Sequence, residues 1–156
     1  MGVLPDSVAE QRSDKYAKYL VLFCLGMALC ASAIFGVVYV TSSRGRSHLL
    51  EELNSLGANA QVRLNNVEAP EPRALIQLLK STAPFAAHHS HPTRPIAIAI
   101  RDDSRIVLLT VARDSERQDE YWVFRPATGA NGNPFGLELG RFTGKTFTLQ
   151  LTQMGL

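Results

Sequence analysis

The sequence predicts a single transmembrane α-helix plus a small α+β domain, with two short helices followed by an antiparallel sheet of about four to five strands. Three observations predict it. A 22-residue stretch near the N-terminus lacks any charge, two later segments place apolar residues at helical spacing, and from Ile96 onward β-branched residues alternate with period two. Helical segments first and strands afterwards is the order of an α+β arrangement, in which the helices gather on one face of the sheet.

A short polar tail covers residues 1–18. The expected membrane helix covers 19–40, reading YLVLFCLGMALCASAIFGVVYV; as a helix it is about 33 Å long, enough to cross a bilayer. Lys15 and Lys18 before it, Arg44 and Arg46 after it, and Tyr19 and Tyr39 at its ends supply cations and aromatics at headgroup depth. Ala31-Ser32-Ala33 resembles a signal-peptide cleavage site, but the apolar run continues through Val40, so an anchor is expected instead of a cleaved leader. Cys24, Ala28, Ser32 and Gly36 recur every four residues and form one stripe of small side chains, a seam on which a partner helix packs closely. Arg12, Lys15 and Lys18 precede the helix and Arg44 and Arg46 follow it, which favours a cytoplasmic N-terminus and a periplasmic or otherwise extracytoplasmic domain, as in a bacterial inner-membrane protein.

Residues 41–95 form a juxtamembrane helical region and a loop rich in histidine and proline. Ser47 is placed to cap a helix running through Leu49, Leu50 and Leu53 to Leu56, with Gly57 to stop it. Pro72 opens a second helix carrying Leu75, Leu78 and Leu79. Between them, Val62, Leu64 and Val67 alternate in a short strand or extended connector, and 83–95 reads as a loop. Residues 96–156 are the β region of the same domain. IAIAIR and RIVLLTVAR form a hairpin around Asp102-Asp103-Ser104, the second strand being apolar on both sides and therefore expected to be central and covered on both, or nearly so. YWVFRP follows as a third strand, Leu137–Phe142 as a fourth, and Lys145–Thr152 as a fifth, with Phe147, Leu149 and Leu151 alternating.

From Thr41 onward the charge is nearly balanced, with scattered arginines, which speaks against nucleic acid as a partner. Cys24 and Cys30 lie six residues apart on one helix and cannot pair within the chain. The remaining domain has no cysteine, hence no thiolate zinc site, thiol nucleophile or disulfide framework. His88, His89 and His91 are the only grouped metal-ligand side chains, but neighbours in an extended segment point apart and a fourth ligand is missing. The mixed charges from Arg113 to Glu120 read as a solvated connection, and Gly129, Gly132 and Gly136 lack the Lys-Ser/Thr of a phosphate loop. Trp122 and its aromatic neighbours read as core before they read as a binding platform.

The expected function is that of a non-catalytic single-pass accessory or assembly subunit without a cofactor. Its partners are the lipid bilayer and other membrane-protein subunits, met through the small-residue stripe in the membrane and through the α+β domain outside it. The alternative is a membrane-tethered metal or small-ligand sensor built on His88, His89 and His91.

Overall fold

No proline interrupts the chain between Asp6 and Asn54, so no helical hydrogen bond is lost there, and a single helix, α1, spans Asp6–Asn54. The computed structural model describes residues 6–84, 89–103, 105–127 and 134–156, with side chains from residue 16 onward. Two compact units result, Met1–Tyr39 and Val40–Leu156.

The juxtamembrane helix expected to begin at Ser47 is the last part of α1, and Ser47 is an interior residue of it. The helix runs unbroken through Gly45, a residue that ordinarily costs a helix stability. A Cβ there would lie 2.8 Å from Leu139 Cδ2 and 2.9 Å from Leu137 Cδ2, so the missing side chain lets the helix approach the chain at Leu137–Leu139. Leu49 and Leu53, one turn apart, then enter the core completely.

The rest of the second unit comprises β1 (Gln61–Leu64), β2 (Val67–Glu68), α2 (Pro72–Lys80), β3 (Pro92–Asp102), β4 (Arg105–Asp114), β5 (Glu120–Phe124), β6 (Glu138–Thr143) and α3 (Lys145–Gln153). The strands make one sheet in the order β2-β1-β3-β4-β5-β6, each neighbouring pair antiparallel. Six strands replace the expected four to five. The additional ones come from the 59–70 segment, where Asn65 (φ 46°) and Asn66 (φ 71°) form a two-residue reverse turn that pairs Leu64 with Val67. Asparagine tolerates these left-handed angles better than most residues, and two in succession suit a tight hairpin.

The expected fifth strand is a helix. In α3, Phe147 and Leu151 are buried four residues apart while Leu149 between them is 64% exposed, so the face that counts has helical spacing. Threonine hydroxyls help to hold the turns, Thr148 Oγ1 donating to Gly144 O and Thr152 Oγ1 to Thr148 O. The far edge of β6 is also occupied, because Ala83 and Arg141 exchange backbone hydrogen bonds there. Gly140 (φ 139°) makes this approach possible, since a Cβ would sit 2.0 Å from Ala83 O.

β3 starts four residues earlier than the β-branched pattern, at Pro92. Two prolines are accommodated because this end of β3 pairs with β4 alone and carries a bulge between Thr93 and Pro95. One face of the sheet bears Val62, Leu64, Ile98, Ile100, Val107, Leu109, Val111, Tyr121 and Val123, covered by Leu75, Ile76 and Leu79 of α2, Phe147 and Leu151 of α3, and Leu49 and Leu53. Tyr121 stacks on Phe142 and meets Phe147 edge-on, with ring centroids 5.4 and 4.8 Å away.

Candidate docking surface

Within α1, every described residue from Tyr16 through Thr41 is exposed, including the whole uncharged run. One helix is thus long and apolar enough to cross a membrane. Cys24, Ala28, Ser32 and Gly36 lie along this exposed helix; Ser32 Oγ donates to Ala28 O at 2.8 Å, folding its hydroxyl back onto the backbone, and nothing comes within 4 Å of a Cβ placed at Gly36.

The second apolar surface is on the sheet. Residues opposite one another across an antiparallel pair share a face, so the register places Arg63, Ala99 and Leu108 together, with Gln61, Arg101 and Ile106 beside them. Among the described residues no helix buries this part. Ile106 and Leu108 are 55% and 53% exposed, which corrects the expectation that β4 is covered on both sides. β4 is central in the sheet, yet its first half is bare on one face.

Further along the same face the surface closes. Ala112, Trp122 and Phe124 are buried with Phe135 against them, a separate cluster beneath which the charges are organised. Asp114 Oδ2 accepts from Trp122 Nε1 at 2.8 Å and Ser90 Oγ at 2.6 Å, and Oδ1 accepts from the backbone N–H of Glu116 and Arg117. Burial works to raise its pKa, but the hydrogen bonds from Ser90, Arg117, Glu116 and Trp122 outweigh it and hold the carboxyl well below the usual carboxylate range. Arg141 stacks its guanidinium 3.4 Å from the Trp122 ring centroid and stands 3.5 Å from both Glu120 Oε1 and Glu138 Oε1. Burial pushes Glu138 up to about 7, against the pull of the Arg141 charge. Glu138 Oε1 has no hydrogen-bond partner among the described residues.

Apart from Glu138 Oε1, the polar groups named here are engaged within the cluster, as in a structural network. Sequence reasoning missed it because its members are scattered from Ser90 to Arg141; only the tryptophan, which needs a partner for its indole N–H when buried, signalled it. Of the histidine candidates, His88 lies outside the described residues, and His89 and His91 are exposed just before β3. Among the described residues no three His, Cys, Asp or Glu side chains are grouped so as to hold a metal ion. The aromatic strand reads as core on both sides, Tyr121 and Val123 in the main cluster and Trp122 and Phe124 in the smaller one.

In comparisons with known proteins, the chain matches no family model, no curated protein and no solved structure.

Proposed function

We propose that this chain is a non-catalytic, single-pass membrane accessory or assembly subunit. The observation that carries the reading is the exposed uncharged run from Tyr19 to Val40, an apolar surface of a size that soluble proteins rarely leave in water. A bilayer solvates such a surface, and the stripe of Cys24, Ala28, Ser32 and Gly36 then offers a partner helix a close approach. The domain contributes the bare half of its sheet, where Ile106 and Leu108 are rimmed by Arg63 and Arg101, which suits an apolar patch with acidic margins on the soluble part of a partner subunit. The excess of cations before the helix orients the N-terminus to the cytoplasm and the domain to the other side.

The test is purification of the full chain from native membranes in mild detergent, with identification and quantification of co-purifying proteins. A stoichiometric membrane-protein partner that is lost when Ala28, Ser32 and Gly36 are all changed to Leu supports the reading. A chain that purifies alone, or extracts from cells without detergent, overturns it. Replacing Ile106 and Leu108 with Glu separates the two contacts, because it weakens the soluble contact and leaves membrane insertion unchanged.

A further inference from the structure

Beside the bulge of β3, between the helix-covered face of the sheet and α3, lies a cleft of about 340 Å³. Its lining is mostly apolar, with Ile96, Tyr121 and Leu151 among the walls, while Arg94, Arg113 and Thr148 line it too. The two arginines are neighbours across the strand pair: Thr93 pairs with Arg113, Pro95 with Ala112, and Arg94 is the residue between. Among the described residues neither arginine has a carboxylate within ion-pair distance. Arg113 spends its Nε on Gln118 O at 2.8 Å, and Arg94 has no side-chain hydrogen bond there. The cleft lining thus carries two cations and, among the described residues, no counter-charge for either. Arg94 also sits at φ 49°, a left-handed conformation unfavourable for a residue with a long side chain.

Two cations without a carboxylate partner and a residue in a left-handed conformation therefore meet in the lining of one mostly apolar cleft, and a bound anion supplies the missing counter-charge. We propose that this cleft binds a small organic oxyanion, a carboxylate or phosphate monoester carrying a compact apolar body. The planar guanidinium forks match the oxyanion, and the walls of Ile96 and Leu151 take the body. On the wall, Tyr121 Oη lies 2.8 Å from Thr148 Oγ1 and, with the Thr148 proton given to Gly144 O, donates to it, which leaves the Tyr121 oxygen as an acceptor for a polar substituent. This site is independent of the assembly role, since it uses neither the exposed helix nor the bare half of the sheet.

The experiment uses the full chain in phosphatidylcholine nanodiscs, with empty nanodiscs as the blank for partitioning. ¹⁹F relaxation of 4-fluorobenzoate, 4-fluorophenyl phosphate and the neutral 4-fluorobenzyl alcohol is followed on titration. Saturable binding of either anion is expected, weakened about tenfold or more in Arg94→Gly and Arg113→Gln, weakened less in Arg94→Lys, which keeps the charge and loses the fork, and much weaker for the alcohol. Which of the two anions binds more tightly identifies the oxyanion. Arg94→Gly also separates binding from folding, because glycine adopts the left-handed angle without strain and the variant is expected to melt at or above the temperature of the parent chain. Absence of saturable binding by both anions, equal binding of the alcohol, or affinities indifferent to Arg94→Gly overturns the proposal.

Discussion

The two faces of the sheet are built on different principles. The helix-covered face is a single apolar cluster in which Leu109, Val111, Ile98 and Ile100 are sealed by three helices. The opposite face divides: half holds a buried network of Asp114, Trp122, Arg141, Glu120 and Glu138, and half leaves Ile106 and Leu108 in contact with solvent. One strand, β4, serves both faces with almost the same alternating apolar residues. What differs is only what lies above them, so apolar content tells which residues are able to be buried and not which are.

The largest test of that contrast is Leu109→Ala. Leu109 is 1% exposed on the covered face, and its truncation is expected to cost about 2–5 kcal/mol. Denaturant unfolding followed by emission of Trp122, the sole tryptophan, measures it. A cost under half of that range would mean that the covered face is not tightly packed. Asp114→Ala comes next, at about 2–4 kcal/mol, because it strands the indole N–H, the Ser90 hydroxyl and two backbone donors. Since its pKa is depressed in the fold, the Asp114 contribution is present at neutral pH and is lost as pH falls below the ordinary value of 3.8; the variant is expected to lose that acid sensitivity in pH-dependent melting.

Glu138 acts with the opposite sign. Its pKa is raised from 4.5 to about 7, so the fold favours the protonated acid, and the contribution present below pH 4.5 is lost as pH rises toward and past 7. Glu138→Gln is expected to flatten this decline, a change of about 1–3 kcal/mol across the window. A melting temperature whose slope between pH 4.5 and 7 is the same in both chains would remove Glu138 as its cause. The smallest effect belongs to the bare half: Leu108→Thr and Ile106→Thr are each expected to stay within about 0.5 kcal/mol of the parent in the same denaturation assay. A loss comparable to that of Leu109→Ala would abolish the distinction between the faces.

Much of this architecture was legible from local pattern. The period-two runs IAIAIR and RIVLLTVAR are paired as expected around Asp102, and Pro72 opens α2. Local pattern failed where a distant residue decided the outcome. Phe147, Leu149 and Leu151 satisfy a strand by alternation and a helix by the i, i+4 spacing of Phe147 and Leu151, and the bridge from Ala83 already takes the Arg141 backbone groups on the outer edge of β6. Ser47 looks like a helix start, but α1 runs through it, with Gly45 packed against Leu137 and Leu139. The site was less legible than the fold. The apolar run and the small-residue stripe are contiguous and readable, whereas the bare half of the sheet depends on which face the helices cover. The cleft beside α3 depends on a bulge that Arg94 and its flanking prolines do not by themselves announce.

The borders of the sheet constrain how this protein meets others. At one side the outermost strand, β2, is two residues long; at the other, Ala83 occupies backbone positions of β6 that an incoming strand would use. Growth by strand addition, the route by which extended peptides join sheets and by which crowded copies aggregate, has little purchase at either side. A partner that met this domain would therefore have side chains across a surface to read in place of strand edges, and a few substitutions there would alter the contact while the scaffold beneath stays as it is.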